Sequence, residues 1–252
     1  ACMPACRSYG ADRELGNITA SEGKVIMSSK WRKLILETIL VWIICIVDIL
    51  WSVHFIYSWR QNGTIISVRD ASTDLGGILG QNIIVSAIAI FLFLLTLICL
   101  REQFTEAMYM KISGKRQRNA LFICLGVLIV MTFVALVTKE DKITVLYSLL
   151  YYTVFVAFTE EFVVRDVCVY LLRAENKWVC YLVPNLLFAG MHLFAYADWG
   201  KITLSYVISF VTSQMLGLVV IGCLFQFLKE KSGTIWVPVL VHAILDYSIV
   251  LG

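Results

Sequence analysis

Six ionisable residues interrupt long apolar stretches of the sequence, and they fall in three short motifs. The motifs read TEEFVVR from Thr159, FAGMH from Phe188 and HAILD from His242. Because a charge in apolar surroundings is costly unless it is paired, each of these residues is a candidate functional group. A carboxylate can take a proton from water, and imidazoles can help to stabilise an oxyanion in a dry site. The candidate catalytic residues are therefore Glu160, Glu161, Arg165, His192, His242 and Asp246.

Each motif contains two residues four positions apart, a spacing that places both side chains on one face of a helix. The pairs are Glu161 with Arg165, Phe188 with His192, and His242 with Asp246. Glu160 is rotated by about 100° from Glu161 and can face a different neighbour. The spacing therefore predicts three short helical faces aimed at a common cavity. A purely structural polar network, which would only join the helices, is the alternative interpretation of the same residues.

The composition indicates which elements must carry these motifs. Hydrophobic residues make up 60% of the 252 residues and charged residues 15%, against roughly 45 to 50% and 25% in soluble domains. Stretches long enough to cross a bilayer recur, and lipid cannot satisfy backbone polar groups outside a helix or a closed barrel. We therefore predict an all-α polytopic transmembrane bundle of about seven helices. The predicted spans are 34–59, 81–100, 120–138, 143–173, 178–197, 202–228 and 234–252.

The distribution of charge predicts how the chain is organised. Lys and Arg near the span ends number 13 on the side of the N-terminus and 5 on the other side, which predicts a cytoplasmic N-terminus. Residues 1–30 form a polar tail, and Met27 before the basic run 30–33 leaves open whether that tail is native. Residues 31–252 are predicted to form a single membrane-embedded domain, with the motif-bearing core at 143–252. A net charge of +3 with no basic stripe argues against a nucleic-acid partner.

Helix geometry also predicts that the motifs meet at one depth. Glu160, His192 and Asp246 lie roughly 18 to 21 Å from the ends of their spans, at 1.5 Å per residue. Pro184 and Pro238 precede the two histidines by eight and four residues. Because a proline inside a helix removes a backbone hydrogen bond, we expect kinks that open room beside the histidines.

The three motifs in this order, EExxxR, FxxxH and HxxxN/D, resemble the CPBP family, also called Abi. This family includes CAAX prenyl proteases and bacteriocin-immunity proteins. The resemblance spans roughly residues 143–252 and implies an intramembrane endopeptidase that acts on a membrane-associated peptide or protein. The substrate implied is a prenylated CAAX protein, a bacteriocin or a leader peptide, and the sequence does not distinguish them.

The resemblance also implies roles for the residues. Glu160 would activate the attacking water, and His192 would position or protonate it. His242 and Asp246 would hold the oxyanion or orient the substrate carbonyl, while Glu161 and Arg165 would brace the helix. The family often has Asn where this sequence has Asp246. An ionised Asp cannot donate to an oxyanion, so Asp246 is either protonated or orients His242.

Several alternatives remain open at this stage. The Glu, His and Asp residues could ligate zinc, but the HExxH motif is absent, and we favour a metal-free mechanism without a cofactor. A membrane scaffold or bacteriocin self-immunity protein of the same family is the main alternative function. A proton-coupled transporter that uses Asp48, Glu160, Glu161 and Asp246 is a further alternative, although no inverted repeat is evident. The partners expected are the lipid bilayer and a peptide or protein substrate, in a bacterial plasma membrane.

Overall fold

A computed structural model describes residues 29–196 and 202–250, and within these ranges the chain forms helices and no strand. Residues 1–28 of the predicted tail lie outside the described residues. The described part contains eight helices, joined by short turns that include one-turn helices at Val68–Asp70, Arg101–Gln103, Phe104–Ala107 and Ser248–Val250. The eight are α1 (Ser29–Gln61), α2 (Leu75–Val85), α3 (Ala87–Leu100), α4 (Lys115–Thr138), α5 (Lys142–Leu171), α6 (Lys177–Tyr196), α7 (Leu204–Ser232) and α8 (Trp236–Tyr247).

The prediction of a polytopic helical membrane protein is confirmed. Within the described ranges, five helical segments are long and apolar enough to cross a bilayer: Arg32–Gln61, Ala87–Ala107, Lys115–Thr138, Lys142–Leu171 and Leu204–Ser232. The second of these is α3 together with the two one-turn helices that follow it. Their outward faces carry large exposed apolar side chains, such as Phe122, Ile129 and Phe133 on α4. Such a surface is stable in lipid and not in water. The cytoplasmic position of the N-terminus stays a prediction.

The predicted span 81–100 is wrong in one respect, because the structure divides it into two helices at Ser86. The apolar pattern runs through this residue, but its ψ of 4° departs from helical geometry. Side chains of α1 bind the last carbonyl oxygens of α2. Trp51 Nε1 donates to Ile84 O at 2.6 Å, and Ser52 Oγ donates to Val85 O at 3.2 Å. These bonds satisfy carbonyl groups at the end of α2.

The seventh predicted span is also shorter in the structure. Helix α8 contains 12 residues and is followed by the 3-10 turn Ser248–Val250. Pro238 is the third residue of α8, within the first turn, where no intrahelical partner for its N–H is required. The predicted kink at Pro238 is therefore wrong. Pro184 does lie inside a helix, the 20-residue α6.

Helix α5 is the centre of the bundle. All residues of its segment Phe162–Cys168 are buried, charged residues included. It packs against α1, where Cys45 Sγ lies 3.9 Å from Cys168 Sγ. It also packs against α3, where the ring centres of Phe93 and Phe162 are 5.4 Å apart. Wide π-helical turns at Tyr151–Phe158 and Phe162–Cys168 flank Thr159–Glu161. Such turns are frequent at functional sites.

At its opposite end, α5 begins with a cap that also fixes the preceding loop. Asp141 accepts hydrogen bonds from the hydroxyls of Ser72 and Thr144 and from the backbone N–H of Thr144. These bonds, of which that from Ser72 has the largest effect, lower the pKa of Asp141 from 3.8 to about 2. The ionised carboxylate thus holds the loop at residue 72 against the start of α5.

We expect Asp141→Ala to lower the unfolding temperature of the detergent-purified protein at neutral pH. Because the pKa of Asp141 is depressed in the folded state, its contribution is complete above the ordinary value of 3.8 and is lost as the pH falls toward about 2. The difference between variant and wild type should therefore shrink across this range. Glu140→Ala, one residue away and equal in charge change, is the control. An equal, pH-independent effect of both variants would refute the assignment.

Candidate active site

The carboxylate of Glu161 lies at the centre of the candidate site and is fully buried. Its Oε1 atom is 3.2 Å from Nη1 of Arg165, which follows one turn later on α5. The same oxygen is 2.9 Å from Nδ1 of His242 on α8. The predicted pairing of Glu161 with Arg165 is present. The structure adds a cross-helix contact that the spacing of the motifs does not reveal.

The other ring nitrogen of His242 faces two carboxylates. Nε2 lies 3.3 Å from Oδ2 of Asp246, its predicted partner on the same face, and 3.7 Å from Oε2 of Glu160. The side chains of Glu160 and Asp246 are 34% and 32% exposed, whereas that of Glu161 is 0% exposed. The imidazole therefore joins a buried carboxylate on one side to two accessible carboxylates on the other.

A cage formed by α6 and α7 holds Arg165. Its guanidinium carbon lies 4.3 Å from the ring centre of Phe188 and 5.5 Å from that of Phe225. The ring of Phe225 also stacks on His242, with 5.0 Å between ring centres. Cation–π contacts of this kind stabilise a desolvated guanidinium. Arg165 is thus fixed by aromatic groups from two helices besides its salt bridge.

Two residues of this cage are not predicted from the sequence. A Cβ added to Gly222 would lie 2.8 Å from Nη2 of Arg165 and 2.9 Å from Cγ of Asn185, so only glycine leaves room for both groups. Asn185 is buried and donates to Tyr181 O at 2.7 Å. Asn185 lies one residue beyond Pro184, inside an apolar helix. A polar residue at such a position could have been recognised in the sequence as a candidate for the site.

His192 is connected to the cluster through Phe188. Its Nδ1 atom is 2.8 Å from Phe188 O. The ring centres of His192 and Phe188 are 4.5 Å apart, in an edge-on arrangement. The predicted pair on α6 therefore does share one face, and the ring of Phe188 lies on Arg165. Of the six candidate residues, five are joined by direct contacts, and His192 is linked to them by this ring.

Asp48 of α1 is a further acidic residue of the site. Its carboxylate interacts electrostatically with that of Glu160. Cys45, one turn earlier on α1, contacts Cys168 of α5. The sequence analysis named Asp48 only as a possible residue of a transporter, although an acid in the middle of an apolar span indicates a partner.

A second buried ion pair lies next to Arg165 and was not predicted. Lys229 of α7 contacts the carboxylate of Asp166 and the backbone oxygen of Arg165. The side chains of Lys229 and Asp166 are 3% and 0% exposed, and Nζ of Lys229 lies 4.4 Å from the ring centre of Tyr109. The sequence analysis counted Lys229 only as a positive charge at the end of a span. The interaction ties α7 to the helix that carries the glutamates.

In the part of the chain that the structure describes, no group of three or more His, Cys, Asp or Glu residues is arranged to hold a metal ion. The metal-free mechanism and its zinc alternative both stay predictions.

The fold and the site together define a class of protein: an integral membrane helical bundle with a carboxylate–imidazole cluster inside it. Residues 142–248 match the model of the family described as type II CAAX prenyl endopeptidase Rce1-like. The match covers all three motifs and confirms the resemblance to the CAAX protease family that they indicate. Searches of curated proteins and of solved structures found no match.

We expect Gly222→Ala to destabilise the protein by about 1–3 kcal/mol, because the added methyl group would displace Arg165 or Asn185. Gly217→Ala, on the same helix, is the control, since a Cβ there meets nothing within 4 Å. Thermal unfolding of both variants in detergent measures the difference. Equal stability of the two variants would show that Gly222 is not a site of close contact.

We expect Lys229→Met to cost about 3–5 kcal/mol of stability, because Asp166 would remain buried without its counter-ion. The double variant Lys229→Met/Asp166→Leu removes both charges and should recover most of this loss. Denaturant unfolding of the two variants and the wild type tests the coupling. A double variant no more stable than the single variant would contradict it.

Proposed function

We propose that the protein is an intramembrane endopeptidase that hydrolyses a peptide bond of a membrane-associated substrate with a water molecule activated by Glu160. The observation that carries the proposal is His242, whose ring nitrogens face Glu161 on one side and Glu160 and Asp246 on the other. The family match at residues 142–248 supports the same class of reaction.

Glu160 is the group best suited to act as general base. At 3.7 Å from His242 Nε2, its Oε2 is beyond hydrogen-bond distance of that ring. Its side chain is one-third exposed, so the carboxylate can accept a proton from water. The water oxygen would then attack the substrate carbonyl carbon, and Glu160 would return the proton to the departing amine.

His242 is oriented to stabilise the negative charge that forms on the carbonyl oxygen. Glu161 Oε1 accepts a hydrogen bond from Nδ1–H, and Arg165 holds that carboxylate in place. Nε2 is then directed to the accessible side, where it can donate to an oxyanion when the ring is doubly protonated. The 3.3 Å distance from Asp246 to Nε2 favours a role for Asp246 in orienting this ring. His192 would position the water or supply a proton.

The proposed substrate is a peptide or protein at the membrane surface, either a prenylated CAAX chain or a bacteriocin or leader peptide. We place the protein in the bacterial plasma membrane and propose a reaction without a metal ion. The alternative is a scaffold or immunity protein in which the same cluster only stabilises the bundle.

The test compares the peptide termini of membrane proteins by mass spectrometry in cells that carry wild type or Glu160→Gln. Removal of the general base should lower the amounts of the product termini by at least about 100-fold. The matched control is Glu37→Gln, an acid of α1 that pairs with Lys33 at 3.6 Å. Product termini should persist in the control.

Protein levels and unfolding temperatures of the variants must match, so that a loss of product reflects chemistry. The opposite outcome is that the termini are identical in wild type and Glu160→Gln, while the variant still produces the effect of the wild-type protein on its cells. In that case the scaffold or immunity function is correct and the peptidase proposal is wrong.

A further inference from the structure

A cavity of about 580 Å³ lies at the end of the bundle where α5 and α7 finish. Its walls come from these helix ends and from the segment between α3 and α4. None of the six candidate catalytic residues lines it. The lining residues that matter for recognition are Lys111, Arg173, Lys229, Asp166, Gln226 and Tyr170.

The cavity lies at the level where helices leave the bilayer. Helix α5 ends at Leu171, α7 ends at Ser232 and α4 begins at Lys115, all close to lining residues. Lipid head groups occupy this level of a membrane. Lysine and arginine side chains between transmembrane helices bind phosphate head groups there. The lining contains three such cations, Lys111, Arg173 and Lys229, beside three acids, Glu106, Asp166 and Glu230.

Two cations of the cavity wall are exposed and can contact a ligand. Lys111 Nζ pairs with Glu106 at 2.9 Å, but both side chains are more than half exposed, and such surface pairs are weak. The Arg173 guanidinium lies 3.7 Å from the ring centre of Tyr170 and donates to the Tyr170 carbonyl oxygen. A phosphate diester can therefore form ion pairs with Lys111 and Arg173 without breaking a buried ion pair.

The inner wall of the cavity contains a buried hydrogen-bond acceptor, the side-chain oxygen of Gln226. Gln226 is 2% exposed, and its Oε1 atom has no hydrogen-bond partner among the described residues. An unsatisfied buried amide oxygen is costly, so a ligand donor at this position would be stabilising. Asp166 and Lys229, also lining residues, already neutralise each other.

We propose that this cavity binds the head group of a glycerophospholipid. Lys111 and Arg173 bind the phosphate, and a hydroxyl or ammonium group of the head alcohol donates to Gln226 Oε1. Phosphatidylglycerol and phosphatidylethanolamine carry such a donor, whereas the quaternary ammonium of phosphatidylcholine has none. The site is separate from the residues of the proposed peptidase chemistry, so the proposal of lipid binding does not depend on that activity.

The experiment titrates the delipidated full chain in detergent with short-chain phosphatidylglycerol, phosphatidylethanolamine or phosphatidylcholine and follows the unfolding temperature. We expect the first two lipids to bind at least about tenfold more tightly than phosphatidylcholine, because they add a hydrogen bond to a buried acceptor. Arg173→Gln should weaken their binding by about tenfold or more through loss of a charge-assisted hydrogen bond. Gln226→Leu should abolish the preference over phosphatidylcholine.

The matched control is Arg116→Gln, which removes the same charge from an exposed position of α4 outside the cavity. It should change the affinity less than about twofold. Equal weakening by Arg116→Gln and Arg173→Gln would show only general surface electrostatics and overturn the site. Inorganic phosphate that binds as tightly as the lipids would overturn the lipid assignment in favour of a free anion. Variants are compared only if their unfolding temperatures without lipid equal that of the wild type.

Discussion

The shared carboxylate of Glu161 is the interaction on which the rest of the bundle depends. A charge buried to this extent costs several kcal/mol unless partners on two sides compensate it. Arg165 and His242 provide that compensation, so α8 must remain against α5. The rings of Phe188 and Phe225 then hold Arg165, which brings α6 and α7 to the same point. Helices α5, α6, α7 and α8 thus meet at the pair of Glu161 and Arg165.

Sequence periodicity predicted the contacts that form within one helix. The pairs Glu161 with Arg165 and His242 with Asp246 follow from helical spacing alone, and both are present. Contacts between helices depend on which faces meet, and one sequence carries no direct signal for this. The bond from Glu161 to His242 and the pair of Asp166 with Lys229 are of that kind, with 81 residues separating the first two.

Hydropathy predicted the long helices well and their interruptions poorly. The break at Ser86 lies in an uninterrupted apolar stretch, and it is stabilised by donors from α1 more than 30 positions earlier in the chain. Pro238 illustrates the converse error, because the effect of a proline depends on its distance from the helix start. That start, at Trp236, is set by tertiary contacts, such as the bond from its indole to Met110 O.

The shortness of α8 has a consequence for the lipid around it. Twelve residues extend about 18 Å, against roughly 30 Å of hydrocarbon, so α8 does not cross the bilayer by itself. Asp246 is the penultimate residue of α8, and its side chain is 32% exposed. Because accessible carboxylates lie beside the end of a short helix, we expect their hydration to depend on the thickness of the surrounding bilayer.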